Sequence, residues 1–66
     1  MVSKIEQLLI DGLELSNASV GTGAMVFILL QKESQQLEMC RFMKSNREAT
    51  DEEIIAMARK ISGYKD

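Results

Sequence analysis

The fold of this chain is decided by an apolar stretch near its middle, Ala24-Met25-Val26-Phe27-Ile28-Leu29-Leu30. Because a helix turns about 100° per residue, consecutive apolar side chains point in every direction around its axis. One packed face cannot cover them all, so other parts of the protein must surround the segment. The run is far shorter than the roughly 20 apolar residues of a membrane-spanning helix, so we expect no membrane association.

The segment that follows has no glycine or proline as far as Asn46, a residue type that often ends helices. This length favours a helix over a short buried strand and predicts one long central helix over about 24–45. Two apolar seams run along this helix, and polar side chains between Lys32 and Gln36 interrupt both. We expect the seams to form an association interface with a second copy through Met25, Val26, Leu29, Leu30, Leu37, Met39, Cys40 and Met43.

A shorter helix is predicted on each side of the central one. Ser3 is followed three residues later by a glutamate, and Thr50 shows the same spacing. Both patterns are capping boxes, which start helices. The apolar residues that follow at helical spacing predict helices over about 3–15 and 50–62, with Gly63 ending the second.

The first helix carries an apolar stripe that we expect to be buried, formed by Ile5, Leu8, Leu9 and Leu13. Gly12 interrupts this helix and costs about 1 kcal/mol relative to alanine in a helix interior. We interpret Gly12 as a site where another helix approaches closely. The alternative is that the first helix ends early.

A polar segment separates the first helix from the central one. Residues 16–23 contain small polar side chains with Gly21 and Gly23, a composition that indicates a turn or loop. Thr22 is a candidate N-cap for the central helix. The Gly-Thr-Gly run lacks the lysine and the spacing of a phosphate-binding loop, so we interpret the segment as a linker.

The composition limits how so short a chain can be stabilised. Its 66 residues are enough for one domain, over 1–66, with a marginal core. Cys40 is the only cysteine and histidine is absent, which excludes an internal disulfide and the common zinc sites. Association with a second chain remains, and a symmetric dimer is the commonest form. We therefore predict an all-α bundle of three helices, completed by homodimerisation through the central helix, with either an antiparallel or a parallel pairing of the two copies.

No residue pattern predicts catalysis. Cys40 has no histidine to activate it, so we interpret it as a buried structural thiol. Asp51, Glu52 and Glu53 are adjacent on a helix and point in different directions, so capping and dipole compensation explain them better than a metal site. No nucleophile–base pair can be assembled either. We expect no enzyme activity, no bound metal and no cofactor.

A basic patch supports an alternative function. Arg41, Lys44 and Arg47 recur every three residues near the end of the central helix. Together with the next helix they resemble a helix-turn-helix nucleic-acid-binding regulator in outline, over about 24–45 and 50–62. The second of these helices opens with three carboxylates, the connection is long, and the formal net charge is −2. These features oppose contact with phosphates, so nucleic acid is not the expected partner.

The sequence thus predicts a small non-enzymatic interaction or regulatory module. We expect it to act in the cytoplasm as a homodimer, with another protein as a further partner. In style the chain resembles the short all-helical reading frames of bacteria and their phages, although no specific motif carries that resemblance.

Overall fold

A computed structural model describes residues 2–63 of the chain, so the domain predicted over 1–66 extends beyond the described residues. Within this range the chain forms four α-helices rather than the three that were predicted, and no strand. The helices are α1 (Lys4–Leu15), α2 (Val20–Leu29), α3 (Glu33–Ser45) and α4 (Asp51–Ser62).

The structure confirms both outer helices and their caps. Ser3 Oγ accepts a hydrogen bond from the backbone N–H of Glu6 at 3.1 Å and starts α1. Thr50 Oγ1 accepts the corresponding bond from the Glu53 N–H at 3.2 Å and starts α4. Gly63 ends α4 with a φ of 77°, in the left-handed region that glycine adopts without strain. Local sequence alone decides these two elements.

The prediction of one long helix over 24–45 is wrong, because the chain breaks between Leu29 and Glu33. Leu30 is fully buried, and its carbonyl oxygen accepts a hydrogen bond from Gln36 Nε2 at 2.8 Å. Gln35 Oε1 accepts from the Lys32 backbone N–H at 3.4 Å on the other side of the break. These glutamines satisfy backbone groups that a continuous helix would have satisfied internally. The break therefore needs neither glycine nor proline.

The prediction of a loop over 16–23 is correct only for its first part. The second helix begins at Val20, and its N-cap is Ser19 rather than Thr22. Asp51 Oδ2, from the first turn of α4, accepts hydrogen bonds from the Ser19 N–H at 3.3 Å and from Thr22 Oγ1 at 3.0 Å. A residue distant in sequence thus fixes the start of α2, and Gly21 and Gly23 become helical.

The helices enclose one apolar core. In the described residues α1 packs on α3, α2 packs on α4, and α3 also packs on α4. The predicted close approach at Gly12 is confirmed, since a Cβ added there would lie 2.9 Å from the terminal methyl group of Met43 in α3. The buried apolar side chains are Leu9, Leu13, Val26, Leu30, Met39, Met43, Ile54 and Ala58.

The central apolar stretch is partly covered within a single chain. Val26 and Leu30 have no exposed surface, and neither does Met39. Splitting the segment into two helices lets each half turn its own apolar side toward the same core, which a straight helix over 24–45 could not do. No helix among residues 2–63 combines the length and the hydrophobicity needed to cross a membrane.

Candidate interaction surfaces

One side of α2 is apolar and yet faces outward. We define the α2 face as Val20, Gly21, Ala24, Met25 and Ile28, all of which are exposed. At about 100° per residue these positions share one side of the helix, opposite the buried Thr22 and Val26. Val20 is 90% exposed and Ile28 is 64% exposed. A surface helix normally carries polar residues on its outer side, and α2 contains no charged residue at all.

The orientation of α2 is fixed by the polar cluster at its start. Ser19 Oγ accepts from the Thr22 N–H at 3.2 Å and donates to Thr22 Oγ1 at 3.0 Å, which in turn donates to Asp51. The hydrogen bond from the Ser19 backbone, followed by that from the Thr22 hydroxyl, holds the pKa of the Asp51 carboxyl below its usual value. The ionised carboxylate also lies at the start of two helices, where negative charge is favoured.

A groove of about 430 Å³ lies between α1 and α3. Its apolar part is formed by Leu8 and Leu15 of α1 and by Leu37 and Cys40 of α3, and we call it the α1–α3 groove. Leu8 is 49% exposed and Leu15 is 71% exposed. Gly12 lies between them on α1, where the absence of a side chain lets Met43 approach.

The predicted basic patch borders this groove. Arg41, Lys44 and Arg47 all line it, so the structure brings the three predicted residues to one surface. Among the described residues none of the three is engaged in an ion pair. Asp11 of α1 is the carboxylate that lines the groove with them. The groove thus combines an apolar centre with an excess of positive charge on its α3 side.

A second concavity, of about 640 Å³, lies at the α3–α4 connection. Lys44 and Arg47 line it as well, and Glu48 and Glu53 line the same space. Its opposing charges and polar lining make it less selective for any one partner chemistry than the α1–α3 groove.

The structure places Cys40 at the edge of the core, where it is partly buried. Burial raises the pKa of the Cys40 thiol, while a backbone hydrogen bond lowers it to a lesser extent. The thiol therefore stays protonated near neutral pH, the form that is a poor nucleophile. Within residues 2–63 no group of three or more Cys, Asp or Glu side chains is arranged to hold a metal ion.

The residues of the predicted association interface lie on different surfaces. Val26, Leu30, Met39 and Met43 are in the core of the single chain. Among the others, Leu29 is half-buried against that core, Met25 belongs to the α2 face, and Leu37 and Cys40 line the α1–α3 groove. The long seam predicted from the sequence does not exist as one surface, because the break at Leu30 turns its two halves apart.

The helix-turn-helix outline corresponds to α3 and α4, joined by residues 46–50. The first turn of α4 carries Asp51, Glu52 and Glu53, and the cations lie instead at the end of α3.

Sequence reasoning missed the apolar side of the groove on α1. Leu8 was expected in the buried stripe, and this expectation is wrong, because Leu8 turns toward the groove with Leu15. The signal that could have revealed the surface is the spacing of Leu8 and Leu15. They are seven residues apart on one side of α1, and that side differs from the one formed by Leu9 and Leu13. Comparisons of the chain with protein-family models, with curated proteins and with solved structures gave no match.

Proposed function

We propose that this chain is a small non-enzymatic interaction module that associates with a second copy of itself through the α2 face. The observation that carries the proposal is the exposure of an uncharged apolar side on a helix whose other side is already packed. Val20 and Ile28, near the two ends of α2, are among the most exposed apolar side chains of the described residues.

A second copy is the occupant because the face is complementary to itself. Two antiparallel α2 helices place apolar surface against apolar surface without bringing like charges together, since neither helix carries a charge. Gly21 has open space around it, since a Cβ added there would meet no atom within 4 Å apart from its chain neighbours and the nearby backbone of α2 itself, and Ala24 is also small. Small side chains allow two helix backbones to lie close together.

The size of the face sets the expected strength of the dimer. A helix of 10 residues is about 15 Å long. The surface area that the α2 face alone can bury is smaller than the roughly 800 Å² that each partner buries in a standard interface. We therefore expect a reversible dimer with a dissociation constant in the micromolar range rather than an obligate assembly.

Sedimentation velocity from low micromolar to submillimolar concentration tests this proposal. Wild-type protein is expected to shift from the mass of one chain toward twice that mass. Ala24→Lys introduces a charge in the centre of the α2 face and should keep the protein monomeric throughout. Ala56→Lys is the matched control, because Ala56 is also an exposed helical alanine but lies on α4. A wild-type protein that remains monomeric, or equal effects of the two substitutions, would refute the proposal.

The helix-turn-helix alternative has one supporting observation, the clustering of Arg41, Lys44 and Arg47. It is the weaker proposal because α4, which would enter the DNA groove, begins with three carboxylates. Fluorescence anisotropy with a mixed-sequence DNA duplex at low salt tests it, and the absence of binding at tens of micromolar protein would eliminate it.

A further inference from the structure

We infer that the α1–α3 groove binds an amphipathic helix of another protein, one that carries leucine-like side chains on one side and carboxylates along the adjoining edge. This partner site goes beyond the proposed self-association, since it uses different helices. The groove is lined by α1 and α3, whereas the proposed dimer forms through α2.

The first argument is the apolar centre of the groove, which the fold does not require. Leu15 is 71% exposed and Leu8 is 49% exposed, so neither contributes much to the core. Leu37 and the uncharged thiol of Cys40 continue the same surface on α3. Together these four side chains form a continuous concave patch, which is the kind of apolar surface that marks an interaction site.

The second argument is charge. Arg41, Lys44 and Arg47 border the apolar centre on one side, and none is engaged in an ion pair among the described residues. Lys44 lies in the last turn of α3, where it compensates the helix dipole, but Arg41 lies earlier and Arg47 lies beyond the helix. Dipole compensation therefore explains one of the three cations. A partner with carboxylates along one edge would pair with all of them.

The shape of the groove favours a helical partner over an extended one. The groove is bounded by two helices whose backbone groups are already hydrogen-bonded, so it offers no strand edge to an extended peptide. A helix satisfies its own backbone and presents side chains at spacings of three and four residues. The groove-lining positions on α3 have the same spacing, since Leu37, Cys40, Arg41 and Lys44 follow each other at intervals of three, one and three.

The extent of the groove sets the length of the partner segment. On α1 the lining runs from Leu8 to Ser16, and on α3 it runs from Leu37 to Arg47 just beyond the helix. Each of these spans is roughly 12–15 Å long at 1.5 Å per residue. Two to three turns of a partner helix, about 8–10 residues, fill this distance.

The test uses two fluorescent peptides of about 14 residues, each held helical by a side-chain staple. Both carry leucines at positions i, i+3, i+4 and i+7. The acidic peptide has glutamates on the edge beside the leucines, and the basic peptide has lysines at the same positions. Because the protein carries a formal net charge of −2, its overall field favours the basic peptide. Preference for the acidic peptide must therefore arise at a local site.

We expect the wild-type protein to bind the acidic peptide with a micromolar dissociation constant, at least about tenfold tighter than the basic one. Lys44→Glu should remove most of this preference. Lys60→Glu is the matched control, because Lys60 is also an exposed lysine in the last turn of a helix. Circular dichroism of both variants verifies that they remain folded.

The apolar part of the groove is tested in the same assay. Leu15→Ser should weaken binding of the acidic peptide by about tenfold, since it removes an exposed leucine from the contact surface without opening the core. Val20→Ser changes a residue of the α2 face that is even more exposed than Leu15, and it should leave peptide binding unaltered. This control also separates the two proposals, because a failure of self-association through α2 does not change the peptide titration.

Three results would overturn the inference. The first is equal or tighter binding of the basic peptide by the wild-type protein. The second is an equal effect of Lys44→Glu and Lys60→Glu on the acidic peptide. The third is binding of a DNA duplex, but not of the acidic peptide, with an affinity that falls steeply with salt and depends on Lys44; that result would assign the cations to nucleic acid instead.

Discussion

Replacing Gln36 with glutamate tests the break between α2 and α3, because the amide of Gln36 holds the chain at that point. Gln36 is 4% exposed, and its Nε2 donates to the Leu30 carbonyl at 2.8 Å. Its Oε1 is buried and has no hydrogen-bond partner among the described residues. A carboxylate at this position would face the Leu30 oxygen without a donor to stabilise it.

The magnitude follows from these contacts. Loss of the donor to a buried carbonyl costs about 1–3 kcal/mol. A buried charge without a partner costs about 3–5 kcal/mol more. A folded chain of 66 residues has a free energy of unfolding of roughly 3–10 kcal/mol in total. We therefore expect Gln36→Glu to be largely unfolded at neutral pH.

The adjacent glutamine provides the control. Gln35 lies in the first turn of α3, and its Oε1 accepts from the Lys32 N–H. A glutamate there keeps an acceptor oxygen and adds a favourable charge at a helix N-terminus, which contributes about 0.3–1 kcal/mol. Gln35→Glu should thus be as stable as the wild type or slightly more stable.

Urea denaturation followed by circular dichroism measures both variants, at neutral pH and at about pH 5. Burial raises the pKa of a glutamate at position 36, so its destabilising effect grows as pH rises through that pKa. On acidification the neutral acid can donate to Leu30, and part of the stability should return. A Gln36→Glu variant as stable as Gln35→Glu at neutral pH would mean that position 36 is solvated, as in an unbroken helix, and the reasoning would be refuted.

Three further predictions concern the core, the start of α2 and the thiol. Leu30→Ala should lower the free energy of unfolding, measured by urea titration, by about 2–5 kcal/mol, because Leu30 is fully buried. Ile28→Ala, on the exposed side of α2, should change the free energy of unfolding by less than about 1 kcal/mol. Similar losses for the two variants would contradict the placement of α2. The lowered pKa of Asp51 means that its stabilising effect is complete above its unfolded value near 3.8 and is lost as pH falls through the folded pKa. The thermal midpoint of Asp51→Asn should therefore depend less on pH than that of the wild type below about pH 5, and parallel profiles would contradict the hydrogen bonds to Ser19 and Thr22. Because burial raises the pKa of the Cys40 thiol, iodoacetamide should alkylate Cys40 at neutral pH more slowly than it alkylates the free thiol of glutathione. Mass spectrometry measures both rates, and faster alkylation of Cys40 would contradict its partly buried position.

The outer helices could be predicted from sequence because their signals are local. Ser3 and Thr50 each begin a helix through a contact three residues away, and Gly63 ends α4 through its own backbone conformation. The clustering of Arg41, Lys44 and Arg47 could be predicted as well. Arg41 and Lys44 are three apart on a helix and share a side, and this relation does not depend on the rest of the fold. Arg47 lies beyond the end of α3, so its position beside them also depends on the α3–α4 connection.

The groove beside those cations could not be predicted, because it requires a second helix. The spacing of Leu8 and Leu15 puts them on a different side of α1 from Leu9 and Leu13, but only the packing of α1 on α3 decides which of the two sides is buried. Gly12 indicated that a helix would come close, but the sequence did not identify α3 as that helix.

The sequence by itself determined that the chain is all-α in class, where the outer helices begin and end, and that the central segment must be covered on several sides. Only the tertiary structure decided how that covering is achieved. At the break, Gln36 donates to the carbonyl of Leu30 six residues earlier in the chain. The start of α2 at Val20 combines the local Ser19 cap with Asp51, which is 32 residues from Ser19 and accepts a hydrogen bond from its backbone N–H. The Asp51 contact has no local signature, since its free energy exists only after α2 and α4 have packed. The Gln36 contact is close in sequence, but it stabilises the break only because Leu30 and Gln36 are buried in the packed structure.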